Sequence, residues 1–344
     1  MPSMSSPVIV TGAAGFIGMH LCRRLLADGR AVVGIDNLND YYDPRLKRAR
    51  LATLEAFEGF TFHQADVSDR VAMAALFDRH APRQVVHLAA QAGVRYALTN
   101  PMAYSDSNLA GMTVVLEACR RLRVQHLVFA SSSSVYGANR KLPFAERDPV
   151  DHPVSLYAAT KRANELMAHS YAHLFGLPVT GLRYFTVYGP WGRPDMAIWK
   201  FTDALLHGRP IDVYGGGVLS RDFTYVDDTV EATVRLLDAP PPARGSADPA
   251  DWNADGPDTS WAPFEVVNLG RSDPVSVNEL IAALESITGR RAMRNEMGMQ
   301  PGDVERTFSA TDKLVRLTGF TPRVALDEGL RAFVAWFRDY HRID

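Results

Sequence analysis

The sequence predicts an α/β protein: a doubly wound parallel sheet followed by a smaller C-terminal α/β region. Three observations carry this expectation. Short apolar runs alternate with segments of helical period through the first half of the chain. A glycine-spaced loop separates the first run from the first helix. After Tyr157 the periodicity becomes less regular and gives way to Gly- and Pro-rich loops, so the two halves are organised differently.

Val8-Ile9-Val10 reads as the first strand, and Thr11-Gly12-Ala13-Ala14-Gly15-Phe16-Ile17-Gly18 follows at once. A helix pattern covers Met19 to Asp28, with Gly29 as its stop, and Ala31 to Ile35 is a second buried strand ending in Asp36. Strand, glycine loop, helix, strand and acid is the order of a Rossmann-type dinucleotide-binding unit. Gly12 permits the tight turn, Gly15 lets backbone approach a pyrophosphate, and Gly18 lets helix and strand pack closely. Phe16 and Ile17, in the same loop, are counted with the cofactor site, and the N-terminus of the helix that follows meets the phosphate charge. The spacing is G-x-x-G-x-x-G rather than G-x-G-x-x-G. Asp36 is placed to accept hydrogen bonds from ribose hydroxyls and to repel a 2′-phosphate. With Asn37 next and no arginine there, NAD is favoured over NADP.

Asp40 to Glu58 is polar and helix-like. Phe60 to Val67 reads as a third strand whose end, at Asp66 and Val67, addresses the adenine. After a helix over Ala72 to Arg79, Val85 to Gln91 forms a fourth strand. The small residues around Leu88, Ala89, Ala90 and Gln91 let a cofactor lie against backbone beyond the strand's carboxyl end. His63 and His87 read as paired core or rim histidines, since neither has metal-ligand spacing, and no metal is expected. A long helix over Asn108 to Arg121 leads to a fifth strand, His126 to Ala130, and then to four serines, Ser131 to Ser134.

Ser155 to Leu174 is the next helix, and it carries Tyr157 and Lys161. Residues at i and i+4 share a helix face, so phenol and ammonium point the same way. A cation about 4 Å from the phenol, at an effective dielectric of about 20, would favour the phenolate by roughly 4 kcal/mol. That would lower a pKa of about 10 by about three units, giving a base poised near neutrality. Tyr-x-x-x-Lys alone is common by chance. The serines opposite add weight, because a hydroxyl there can donate to and accept from the oxygen that the tyrosinate deprotonates.

Composition sets the outer bounds. A length of 344 residues exceeds the usual single core, so a large domain with an appended region, or two domains, is expected. A formal charge of −2 gives no reason to invoke nucleic acid or an anionic membrane. Cys22 and Cys119 lie in helix-like segments without a paired framework, which fits packing in a reducing compartment. With no apolar leader and no apolar stretch of about 20 residues, a cytoplasmic protein is expected.

From Val8 to about Tyr340 the chain resembles an extended short-chain dehydrogenase/reductase acting on nucleotide sugars. The resemblance rests on Thr11-Gly12-x-x-Gly15-Phe16-Ile17-Gly18, Asp36-Asn37, His87-Leu88-Ala89-Ala90, Ser131-Ser132, Val135-Tyr136-Gly137 and Tyr157-x-x-x-Lys161. Within that group it is most similar to UDP-glucuronate 4-epimerases. The bearing segments are Asp36-Asn37-Leu38-Asn39-Asp40-Tyr41-Tyr42-Asp43, Gln91-Ala92-Gly93-Val94-Arg95-Tyr96 and Arg183 to Met196. The resemblance implies a catalytic set of Ser132, Tyr157 and Lys161, with Ser133 and Ser134 close enough to compete as the working hydroxyl. It adds Asn39, Ser131, Tyr184 and Val187 to the NAD site. It implies Arg221 for the UDP phosphates, Asp303 for a uridine ribose, and Val213 and Tyr214 beside them. Gln300 stands where relatives acting on UDP-galactose tend to carry arginine. Thr186, in place of an asparagine common in those relatives, and Arg193 are the candidates for reading a C6 carboxylate, with Arg95 as second choice.

After the catalytic helix, Val179 to Phe185 reads as a sixth strand, Gly189 to Asp195 as a ligand-edge loop, and Ile211 to Tyr214 as another strand. Ala239 to Pro263 reads as a surface insertion. Val266 to Leu269 is a last sheet-like segment, and Ser276 to Thr288 and Leu326 to Tyr340 are helices. We therefore divide the chain into 1–180, an NAD-binding Rossmann domain that includes the catalytic helix, and 181–344, mainly UDP-sugar-binding, with some segments returning to the first sheet. The reaction so implied is C4 epimerisation of UDP-glucuronate to UDP-galacturonate through a 4-keto intermediate, with NAD held throughout. A UDP-xylose-forming decarboxylase and a UDP-glucose/galactose 4-epimerase stay open. A 4,6-dehydratase is disfavoured because Ser132-Ser133-Ser134 offers no carboxylate. A non-catalytic NAD-sensing protein is disfavoured because Ser132, Tyr157 and Lys161 are all present. The helices over Asn108–Arg121 and Ser155–Leu174 resemble a pair that forms a homodimer.

Overall fold

The computed structural model describes residues 6–243, 256–299 and 305–343. Seven strands form one parallel sheet: β1 (Val8–Thr11), β2 (Val32–Asp36), β3 (Phe60–Gln64), β4 (Gln84–His87), β5 (His126–Ser132), β6 (Val179–Tyr184) and β10 (Phe264–Leu269). Their order is β10-β6-β5-β4-β1-β2-β3. The strand order reverses between β1 and β4, where Thr11 lies level with His87, and a crevice opens beyond the carboxyl ends. The central strands are apolar on both faces because helices cover both. One face is packed by α1 (Phe16–Ala27), α2 (Pro44–Glu55), α8 (Val226–Leu237) and α10 (Asp312–Thr318). The other carries α3 (Arg70–His80), α5 (Gly111–Leu122) and α6 (Leu156–Phe175). The expected sixth strand and the last sheet-like segment both enter this sheet, β10 beside β6.

The C-terminal part has its own apolar core. It packs α7 (Ala197–Leu206), α9 (Val277–Thr288) and α11 (Leu326–His341) around β8 (Ile211–Tyr214) and β9 (Ser220–Tyr225). β7 (Thr186–Tyr188) pairs in parallel with β9, as does β13 (Arg306–Thr307), and β11 (Pro274–Ser276) runs antiparallel to it. β8 pairs with β12 (Arg294–Met297).

Four elements differ from expectation: the third strand ends at Gln64 rather than Val67, the fourth ends at His87 rather than Gln91, and two more depart in kind. The helix expected from Asn108 begins as α4 (Met102–Tyr104), continues through a π-helical stretch over Ser105–Ala110, and turns α-helical only at Gly111. Within this stretch buried Asn108 faces the loop after β4, where its side chain accepts from the Gln91 amide (2.8 Å) and donates to Thr160 (3.0 Å). The serine run splits: Ser131 and Ser132 finish β5, while Ser133 and Ser134 enter a 3₁₀ turn.

Candidate active site

At the crevice, Gly12 has φ +74°, and a Cβ there would lie 2.7 Å from the Ala89 amide nitrogen. A Cβ on Gly18 would lie 2.0 Å from the Gly12 carbonyl oxygen, so the loop closes only without side chains. Helix α1 starts with Gly15 as its N-cap and no capping side chain. Its first amide groups are left for an external anion, as a dinucleotide's pyrophosphate requires. The loop fits the cofactor on this ground.

The adenosine end is a polar network. Asp36, at the end of β2, accepts from the amides of Ala14 (3.1 Å) and Leu38 (2.9 Å). Asn37 donates to Asp66 (2.8 Å), and Asn39 accepts from Lys47 (2.7 Å). The cleft, about 250 Å³, is lined by Asp36, Asn37, Asn39 and Val67, then by Leu88 to Gln91 and Ser131. Asp66 is not among the lining residues; it holds Asn37 from behind. Lys47, which the sequence reading passed over, is buried against this wall, and burial lowers its pKa.

Helix α6 brings the chemistry. Ser155 caps it by accepting from the Ala158 amide (3.1 Å). Its middle is fastened to the sheet by a buried ion pair: Arg183 on β6 donates twice to Glu165, at 2.8 and 2.9 Å. Ser131 donates to the same carboxylate at 2.6 Å. Glu165 is thereby held charged: burial raises its pKa, but Arg183 and Ser131 outweigh that and leave it below the usual range.

Lys161, buried, donates to the Ala130 carbonyl (2.8 Å), and burial lowers its pKa to about 8. The structure departs here from the expected Tyr157–Lys161 electrostatics. Burial holds the Tyr157 phenol above its ordinary pKa, and the influences pulling it down are a hydrogen bond with Ser132 and the charge of Arg193. The shared helix face is real, but the long lysine side chain turns to strand β5 and spends its ammonium on a carbonyl.

Beyond Tyr157 lies a second cavity, about 780 Å³. Its walls include Arg95, Ser132, Ser133, Ser134, Thr186, Arg193, Tyr214 and Arg221. Arg193 is clasped by Asp195, Nε to Oδ1 at 3.0 Å and Nη2 to Oδ2 at 2.5 Å. Tyr41, reaching over from the loop after β2, donates to Asp195 at 3.1 Å. The Arg95 guanidinium lies 5.1 Å from the centre of the Tyr214 ring. Val213 departs from expectation: β8 alternates, and its side chain faces the C-terminal core. Gln300 and Asp303 lie outside the described residues, as does 244–255 of the expected insertion.

The two cavities share Tyr41, Ser132, Tyr157, Tyr184, Phe185, Val187, Arg193 and Met196. Ser132, rather than Ser133 or Ser134, faces both. Tyr41 and Asp195 were missed as site residues, although both lie in segments that carry the resemblance. The two histidines are structural: His87 bonds Thr11 (2.7 Å) with its pKa lowered by burial to about 3, and His63 bonds His80 (2.8 Å).

A doubly wound sheet with an uncapped glycine loop, whose cleft carries Ser132, Tyr157 and Lys161 and opens at Ser132 and Tyr157 into a second cavity, has the architecture of a nucleotide-dependent enzyme of the short-chain dehydrogenase/reductase class. Residues 8–253 match the family model described as "NAD dependent epimerase/dehydratase family". The chain belongs to that family. It is 50% identical over 334 residues to a probable UDP-glucuronate 4-epimerase of Rhizobium meliloti (strain 1021), covering 97% of each chain. Among solved structures it is similar to UDP-glucuronic acid 4-epimerase from Bacillus cereus in complex with UDP-glucuronic acid and NAD. That match has a TM-score of 0.86 and 32% identity, covering 97% of this chain and 99% of that one. A UDP-glucose 4-epimerase with UDP-glucose from Thermotoga maritima matches with a TM-score of 0.83 and 31% identity, over 97% and 99%.

Proposed function

We propose that this protein interconverts UDP-glucuronate and UDP-galacturonate by NAD-dependent epimerisation at C4. The observation that carries the reading is that Ser132, Tyr157 and Arg193 stand where the dinucleotide cleft opens into the sugar cavity. Relatives and structural neighbours described as UDP-glucuronate 4-epimerases support it. Tyr157 takes the proton from the sugar O4 and later returns it, and Ser132 holds the same oxygen through both steps. Lys161 fixes the floor of the site through the Ala130 carbonyl and keeps positive charge beneath the cleft. When bound, NAD accepts the C4 hydride and gives it back, so no net redox occurs. The 4-keto sugar must turn over in the cavity between the two transfers.

Arg221 and Tyr214 line the UDP end, with Gln300 and Asp303 assigned beside them. Thr186 and Arg193 hold the C6 carboxylate. Asp195 occupies Nε and one edge of Nη2, so Arg193 keeps Nη1 for a substrate carboxylate without surrendering its anchor. The keto intermediate is a β-keto acid. A carboxylate held in the ring plane, away from overlap with the carbonyl π system, does not leave as CO₂. Residues 1–180 thus serve mainly the cofactor and 181–344 mainly the sugar.

On α6, Leu166, Leu174 and Phe175 are exposed at 53%, 67% and 50%; these surface apolar side chains support association with a second copy of the chain. A mass twice that of the 38.0 kDa chain, by light scattering, is the expected result. Among the described residues no helix is long and apolar enough to cross a membrane. With both cysteines buried and free, we place the protein in the cytoplasm. The reaction is tested by an NMR time course with UDP-glucuronate and no added NAD. UDP-galacturonate is expected. UDP-xylose with bicarbonate would replace the reading by a decarboxylase, and no change after NAD is supplied would turn the search to UDP-glucose and UDP-galactose.

A further inference from the structure

Arg50, on the inner face of α2, is 0% exposed. All five of its N–H donors are used, and none goes to a carboxylate. Nε and Nη2 donate to the Trp191 carbonyl at 3.1 and 2.7 Å, and Nη2 also donates to the Gly192 carbonyl at 3.0 Å. Nη1 donates to the Ala14 carbonyl at 3.1 Å and to the Tyr42 hydroxyl at 2.6 Å. The nearby carboxylate of Asp36 is occupied by the Ala14 and Leu38 amides. Its hydrogen-bond partners are thus all neutral; Asp36 acts on the charge only through space, and burial still lowers the guanidinium's pKa, so a further anion nearby would stabilise it.

The position of those partners says which anion. Ala14 belongs to the loop between Gly12 and Gly15, where α1 opens without a cap toward the dinucleotide's pyrophosphate. Trp191 and Gly192 are the two residues before Arg193, and Trp191 has φ +64°. One guanidinium thus spans the loop that meets the cofactor and the loop that presents the substrate arginine. Its planar fork suits this role, because an ammonium has three donors for the same four acceptor groups.

We propose that Arg50 is a positioning residue for both ligands: its buried charge answers the cofactor's pyrophosphate, and its hydrogen bonds fix the loop that carries Arg193. Cofactor retention and substrate binding are coupled through this side chain. The substrate half of the proposal rests on the epimerase reading; the cofactor half does not.

The test compares Arg50→Lys and Arg50→Met with the wild type, all purified without added NAD. NAD per chain is measured by chromatography after acid release, and KM and kcat are measured with UDP-glucuronate. Arg50→Lys keeps the charge and loses the span. It should retain more than half the wild-type NAD while KM rises at least ~10-fold, a change worth about 1.4 kcal/mol. Arg50→Met should lose NAD at least ~10-fold as well. Wild-type NAD content and unchanged KM in the variants, with only a lower Tm, would overturn the proposal and leave Arg50 a plain brace. If Arg50→Met does not fold, the KM of Arg50→Lys decides alone: raised supports, unchanged overturns. A wild-type enzyme inert toward UDP-glucuronate would defeat the epimerase reading, and NAD content would still decide on Arg50.

Discussion

The dinucleotide cleft and the sugar cavity meet at Tyr157 but have different walls. Around the glycine loop the cleft is built from backbone and short side chains at the carboxyl ends of parallel strands, the Gly12–Gly18 loop, Leu88 to Ala90 and Ser131, with longer side chains such as Lys47 only toward its rims. The cavity is built from long side chains carried on loops and short strands, Arg95, Arg193 and Arg221 among them. A wall of backbone is set by the whole sheet and discriminates little between related ligands. Long side chains can be exchanged one at a time, and each exchange alters which sugar is held. The difference assigns cofactor retention to the scaffold and substrate choice to a few rotatable groups.

The largest effect is expected where the two walls meet. Tyr157→Phe removes the proton carrier and leaves the shape of the cavity, so turnover should fall by about 10³-fold or more. Calorimetry should show UDP-glucuronate binding within a few-fold of wild type. Normal turnover in that variant would end the assignment. Next comes a test of the cleft alone. Gly18→Ala puts a Cβ 2.0 Å from the Gly12 carbonyl, a backbone clash that no rotamer relieves. Overpacking costs about 1–3 kcal/mol, so the retained NAD should drop roughly tenfold or more. Added UDP should still protect the C-terminal part against proteolysis. Equal loss of both ligands would erase the distinction between the walls.

The same contrast governs what can be read from sequence. The strand-loop-helix order from Val8 to Asp36 is legible because its residues are contiguous and each glycine has a local steric cause. The catalytic helix is legible from its period over Ser155 to Leu174 and from Tyr157 and Lys161 on one face. Three features are not. β12 is exposed at every residue, so no alternation marks it. The π register around Asn108 leaves no pattern in polarity, yet it carries the side chain that holds the Gln91 amide in the loop after β4. The Tyr41–Asp195–Arg193 cluster joins positions 154 residues apart, a contact created only by the fold. Even the Tyr157–Lys161 pair, correctly placed on one face, does not by itself lower the phenol. Against burial, the Tyr157 pKa is pulled down first by the Ser132 hydrogen bond and then by Arg193, from a loop that no local pattern ties to α6.

Arg193 is therefore the group on which the comparison can be sharpened. Arg193→Met should lower NAD content far less than Gly18→Ala does and lower kcat/KM by about 100-fold, the worth of a charge-assisted pair of about 2–3 kcal/mol. A second readout separates its two roles. Burial raises the Tyr157 pKa and Arg193 lowers it, so removing Arg193 raises it further. Activity needs the phenolate, so the acidic limb of the kcat/KM profile should move to higher pH in the variant. A lower plateau with an unmoved limb would confine Arg193 to holding the carboxylate.

Thr186→Val should give the smallest effect and the most specific one. Thr186 lines the sugar cavity alone, at the start of β7, where its backbone is held level with Phe223 on β9. Valine has nearly the same shape and keeps the strand, so folding and NAD content should be untouched. What is lost is one hydroxyl donor to the carboxylate, worth about 1–1.5 kcal/mol, or about tenfold in KM. With one of its two holders gone, the carboxylate is freer to leave the ring plane, and the keto intermediate can lose CO₂. Traces of UDP-xylose in the NMR time course, absent from the wild type, are the expected signature. A tenfold KM change without UDP-xylose would mean that Arg193 alone keeps the carboxylate in plane.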